Sequence, residues 1–141
     1  MRRTSISAVA VAVAAILGGC SDDPASVEKS EPAVVETIPG SEQKQVTVTV
    51  DAAERISLAT GLVSAGNGSE TVVPYGAVIY DADGLAWAYV AKADNVFLRE
   101  ALEITRIEGD QAYLSSGPAV GTTIAVVGVA ELFGAETGIG K

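Results

Sequence analysis

A chain of 141 residues with 18 acidic and 9 basic side chains, 48% hydrophobic, has the length for one small domain plus tails. Its formal charge of −9 would repel nucleic-acid phosphates, and the absence of histidine excludes imidazole bases, Ser-His-Asp triads and His-ligated metals. A single cysteine leaves neither an internal disulfide nor a Cys-clustered zinc site. The composition therefore points to a non-enzymatic protein with no cofactor and no nucleic-acid partner.

The first 20 residues, MRRTSISAVAVAVAAILGGC, have the layout of an export signal. Arg2 and Arg3 form a basic start, and residues 6–17 are an uncharged, mostly apolar run. As a helix those 12 residues would reach about 18 Å, well short of the roughly 30 Å of a bilayer's hydrocarbon core. Leu17-Gly18-Gly19-Cys20 resembles a bacterial lipobox, with cleavage expected between Gly19 and Cys20 and a diacylglycerol on the Cys20 sulfur. The competing reading is an ordinary signal peptide, residues 1–19, followed by an incidental cysteine. Acylation on Cys20 would hold the chain on a membrane, because each buried methylene contributes about 0.8 kcal/mol. Such a protein belongs in the cell envelope, facing the periplasm or the extracellular side.

Residues 20–45 read as a flexible linker. Residues 21–44 contain Pro24, Pro32 and Pro39, six carboxylates and no aromatic, a composition poor in surface to bury. Extended at about 3.1 Å per residue, those 24 positions would lift a body up to about 75 Å from the lipid.

The body, residues 46–130, reads as mainly β, a small barrel or sandwich of antiparallel hairpins with one short helix. Val46, Val48 and Val50 alternate with Thr47 and Thr49, the period of a half-buried strand. Asp51 with Glu54 three residues on predicts a capped helix over residues 51–59. A second strand is expected over residues 60–65, then a turn at Gly66-Asn67-Gly68 and a strand ending at Pro74. The clearest hairpin joins residues 77–80 to 85–90 through Asp81-Ala82-Asp83-Gly84, and a second joins residues 96–107 to 111–115 through Glu108-Gly109-Asp110. Residues 123–127 make the last strand. Residues 131–141 read as a flexible tail, with at most one helical turn before its glycines.

Residues 73–128 resemble the membrane-proximal part of periplasmic adaptor proteins, the membrane fusion proteins of tripartite efflux systems. The resemblance lies in VPYGAVIYDADGLAWAYV and ITRIEGDQAYLSSGPAVGTTIAVVG: Val73-Pro74, Gly84, Tyr89-Val90, Gly109, Ser116-Gly117, Gly121 and Val126-Val127-Gly128. VTVTVDAAERISLATGLV is similar to the segment that leads into the first lipoyl half of that family. The resemblance implies a β domain that docks on an extracytoplasmic partner such as a transporter. An adaptor carries two lipoyl halves and a long helical hairpin between these segments, whereas SAGNGSET alone joins Val63 to Val72 here.

Three further patterns bear on chemistry. Asp81-Ala82-Asp83-Gly84 could open a calcium loop, but Lys92 stands where the bidentate Glu belongs, so a hairpin turn is the simpler reading. Glu108 and Asp110 flank a turn glycine and should be solvated, and Ser115 and Ser116 have no histidine base. Trp87, Tyr89 and Phe97, with Tyr75 and Tyr80, could line a partner face or an apolar ligand groove, or be core and cross-strand pairs. The groove reading gives the alternative function, a lipoprotein carrier or sensor for a small apolar ligand. An envelope-structural lipoprotein is a third reading.

Overall fold

The computed structural model describes residues 31–139. The expected signal peptide, Gly19, Cys20 and the first part of the linker lie outside the described residues. Ten strands and two short helices follow in chain order: β1 (Ala33–Thr37), β2 (Lys44–Val48), α1 (Val50–Arg55), β3 (Ala59–Leu62), β4 (Ser64–Ala65), β5 (Thr71–Pro74), β6 (Ile79–Tyr80), β7 (Ala86–Ala93), β8 (Val96–Glu108), β9 (Gln111–Ser116), β10 (Thr123–Val127) and α2 (Val129–Thr137). A single 3-10 turn, Tyr75–Ala77, separates β5 from β6.

The fold is mainly β, a nearly closed antiparallel barrel. Its strands run in the order β3-β10-β7-β8-β9-β5-β4. β3 and β4 occupy the two margins of this sheet, yet they are one stretch of chain interrupted only at Val63. The Val63 N–H donates to the Thr122 carbonyl at 2.9 Å, and its own carbonyl accepts from Gly121 N–H at 2.8 Å. The chain thus passes from the β10 margin to the β5 margin and closes the cylinder.

β8 is 13 residues long and serves both halves of the barrel, pairing with β7 and β2 early and with β9 late. The register against β9 slips between Glu103 and Ile104 and again between Ile104 and Arg106. Each extra residue bends the strand and adds twist, which lets a small sheet roll up. The β8–β9 turn is two residues, with Gly109 at φ 61° in the first central position, where a backbone of that hand matches the strand twist.

Strand alternation sorts the apolar side chains into two layers. On β7, Ala88 and Val90 point into the barrel with Val63, Val73, Leu102, Ala112, Leu114 and Ile124. The bore is narrow, and Ala77, Ala88 and Ala112 are fully buried within it. The intervening Tyr89 points outward, into a second core built from Phe97, Ala125, Val46, Val48, Ala52, Val129 and Leu132. That layer lies between the outer wall and a cover formed by the β1–β2 hairpin and the helices. Full burial of each such large side chain contributes about 1.5–3 kcal/mol.

Two expected boundaries change. The linker expected over residues 20–45 includes β1 and the start of β2, which pair from Ala33↔Val48 to Thr37↔Lys44 around a turn with Gly40 at φ 82°. Ala33 and Val35 pack against the second core, so this acidic, proline-bearing stretch has an apolar face to bury. The tail expected over residues 131–141 begins as α2, whose Val129 and Leu132 are buried. The first helix is also set differently: Thr49, not Asp51, is its N-cap, accepting the Ala52 N–H at 3.2 Å. Asp51 sits in the first helical turn.

Candidate functional site

A buried polar cluster lies where α2 crosses the outer face of β7 and β8. Along α2, Val129, Leu132, Phe133 and Glu136 recur at the spacing of one helix face, so a carboxylate takes the fourth place in an apolar stripe. Glu136 is 7% exposed. Tyr89 and Arg99 stand directly opposite each other on β7 and β8, which brings both beneath it. The Tyr89 hydroxyl donates to Glu136 Oε2 at 2.5 Å, and Arg99 Nη2 lies 3.2 Å from Glu136 Oε1. Both carboxylate oxygens are therefore engaged. Burial, followed by the hydrogen bond to Glu136, pushes the Tyr89 phenol well above the ordinary tyrosine value.

Arg99 is also stacked. Its guanidinium carbon lies 4.3 Å from the Trp87 ring centroid and 5.7 Å from that of Phe133, within cation–π range. Trp87 faces Ala101 in the register, so Arg99 is its diagonal neighbour on the same face. The Trp87 indole N–H donates to Asp81 Oδ2 at 2.8 Å, while Asp81 Oδ1 accepts from the Asp83 and Leu85 N–H groups at 3.0 and 2.9 Å. The Trp87 bond is the largest influence holding the Asp81 carboxyl below its usual range. With its oxygens occupied by three N–H donors, Asp81 serves as the keystone of a hairpin turn rather than as a cation ligand.

Of the three aromatics read as a possible partner or ligand face, the structure keeps one near the surface. Tyr89 and Phe97 are 0% and 1% exposed and belong to the second core. The physical reason is the cover: β2 lies along β8 and α2 lies over β7, so the outer barrel face becomes an interior layer. Trp87 is half-buried and forms a surface strip with Arg99 and Phe133. Tyr75 and Tyr80 are exposed at 39% and 44%. Tyr75 opens the 3-10 turn and Tyr80 ends β6, and neither is part of the buried aromatic cluster.

An open pocket of about 400 Å³ lies on another part of the wall, lined by Leu58, Thr60, Ala91, Asp94, Asn95 and Thr123 among others, with Phe97 reaching one side. At the far end of the barrel, Arg106 stacks on Tyr113 at 3.7 Å and contacts Glu70 and Glu108 at 2.6 and 2.8 Å. This fastens the turn before β5 to the end of β8. Among the described residues, no group of three or more ligating side chains is placed to hold a metal ion, and no helix is long and apolar enough to cross a membrane. Every buried side-chain nitrogen and oxygen among them has a partner. What the arrangement does chemically is to lock α2 onto the barrel and present a Trp87–Arg99–Phe133 strip beside it.

Sequence reasoning missed Arg99 and Glu136. Glu136 carried a readable signal, its place in the apolar stripe of α2, whereas Arg99 had none apart from its position on a strand opposite Tyr89.

No protein-family model matches the chain, and neither the curated proteins nor the solved structures provide a match.

Proposed function

We propose that this protein is a lipid-anchored extracytoplasmic binding module, adaptor-like in its β domain, that docks on an envelope protein such as a transporter. The observation that carries the reading is the lipobox-like Leu17-Gly18-Gly19-Cys20 behind a short apolar run. The adaptor-like segments supply β5 through β10, which with β3 and β4 form the nearly closed barrel and support the reading. Membrane attachment through acyl chains on Cys20 would leave the barrel free to meet its partner, with the Trp87–Arg99–Phe133 strip as the contact surface. Aromatic and arginine side chains are the groups most enriched at interface centres. The burial of Tyr89 removes one of the side chains on which an apolar-ligand carrier would depend.

Two measurements test the proposal. Mass spectrometry of the protein extracted from membranes should give a mature N-terminus at Cys20 carrying a thioether-linked diacylglycerol; a free thiol or a different start refutes the anchor. Cross-linking in native membranes should join residues near Trp87 to a multi-spanning transporter subunit. Cross-links confined to other copies of this chain, or none at all, refute the docking role.

A further inference from the structure

The barrel is nearly closed, but the hairpin laid against it leaves an edge. β1 has β2 as its one strand neighbour among the described residues, so its other side is an open edge. The backbone groups on that edge follow from the register. The Ile38 N–H donates to the Gln43 carbonyl at 3.0 Å, and the Thr49 N–H donates to the Pro32 carbonyl at 3.0 Å, one bonded pair at each end of the hairpin. Bonded pairs alternate along an antiparallel ladder. Val34↔Thr47 and Glu36↔Gln45 are therefore the bonded pairs between, and Ala33, Val35 and Thr37 turn their N–H and C=O groups outward. Unpaired strand edges are templates for another strand.

We propose that β1 pairs antiparallel with β1 of a second copy of this chain, about a two-fold axis through Val35. In this register Ala33 faces the partner's Thr37, Val35 faces Val35, and Thr37 faces Ala33. Every outward-pointing residue thus enters a bonded pair with another outward-pointing residue. The side chains agree with that register. Val34, 48% exposed, comes opposite the partner's Glu36, so each carboxylate meets an apolar neighbour across the seam. A shift of the axis to residue 36 would set the two Glu36 carboxylates against each other, which is destabilising for directly opposed like charges. A shift to residue 34 sets Glu36 and Thr37 against Pro32 and Glu31, outside the strand, and leaves three residues of β1 paired. Pro39, just past the segment, supplies no N–H to a ladder and limits its extension on that side. The side chains of Ala33 and Val35 already pack on the second core, so the joined sheet keeps its apolar face covered in both copies. This inference stands apart from the docking role, which uses a different face.

Amide exchange followed by NMR on the full chain, across a range of protein concentrations, reads the edge directly. The Val34 and Glu36 amides should be protected at every concentration. Those of Ala33, Val35 and Thr37 should slow by at least about tenfold as the dimer fills. Thr37→Pro removes one outward N–H and no β1–β2 bond, and should abolish both that dependence and the dimer seen by sedimentation. Val34→Lys sets an ammonium opposite the partner's Glu36 twice per dimer and should tighten association by about tenfold. This variant gains stability in the dimer, so it decides the matter even if Thr37→Pro folds poorly. Three outcomes overturn the proposal: outward amides that exchange fast at all concentrations, outward amides protected at all concentrations, as when the chain's own N-terminal segment covers the edge, or weaker association in Val34→Lys.

Discussion

Replacing Glu136 by alanine should cost about 3 kcal/mol of folding stability, and the figure can be assembled from its two partners. The Tyr89 hydroxyl is fully enclosed and would lose its acceptor, a penalty of about 1–3 kcal/mol for a buried donor left unmade. Arg99 would lose its carboxylate, but its side chain is 24% exposed and can recover water. Its loss is therefore about 1 kcal/mol rather than the 3–5 kcal/mol of a fully enclosed pair. Urea denaturation at neutral pH, followed by the chain's one tryptophan, reports the change as a shift in midpoint at constant slope. Tyr89→Phe alone should cost about 1–2 kcal/mol, because Glu136 Oε2 then lacks its donor. In the double variant the orphaned hydroxyl no longer exists, so the combined cost should fall short of the sum by about 1–2 kcal/mol. A cost below about 0.5 kcal/mol for Glu136→Ala, or strict additivity in the double variant, would refute the view that this network fastens α2 to the barrel.

Three more tests address pH and backbone geometry. The Tyr89 phenol is raised by burial and by Glu136, so its contribution is fully present below the unfolded value near 10 and is lost as pH climbs above it; alkaline unfolding followed by circular dichroism should become shallower in Tyr89→Phe. Asp81 is held low chiefly by the Trp87 N–H, so its contribution is present above the unfolded value near 3.8 and disappears as pH falls below it. Acid titration of Asp81→Asn should lack that part of the destabilisation, and an unchanged acid profile would contradict the Asp81–Trp87 link. Gly128 precedes α2 at φ 83°, and a Cβ there would stand 3.0 Å from Leu58 Cδ1 and 3.1 Å from Ile56 Cδ1. Gly128→Ala should therefore lower stability by about 1–3 kcal/mol in thermal melts, and an unchanged melting temperature would show that α2 tolerates a different entry.

The hairpins of the barrel were legible because local chemistry and long-range packing ask for the same thing there. Asp81 to Gly84 and Glu108 to Asp110 are turn formers between alternating runs, and β10 falls on the predicted residues 123–127. The β1–β2 hairpin was hidden by its composition. Six carboxylates and three prolines over residues 21–44 argue for a tether, yet Pro39-Gly40 between Val35 and Val46 is also a turn between apolar runs. The outer aromatics were misplaced for a related reason. Alternation places Tyr89 and Phe97 away from the barrel axis, but only the tertiary arrangement reveals that a second cover lies over them. Arg99 and Glu136 belong to elements 37 positions apart, and no local pattern announces that they meet.

The seam at Val63 ties the schedule of folding to the last strand. Residues 59–62 wait for a partner near position 125, while residues 64–65 take theirs only a few positions downstream. Such distant pairing is slow to nucleate, since a long loop must be ordered before the contact returns anything. Until β10 is in place the β3 margin has no strand to pair with, so completion of the cylinder waits for residues 123–127.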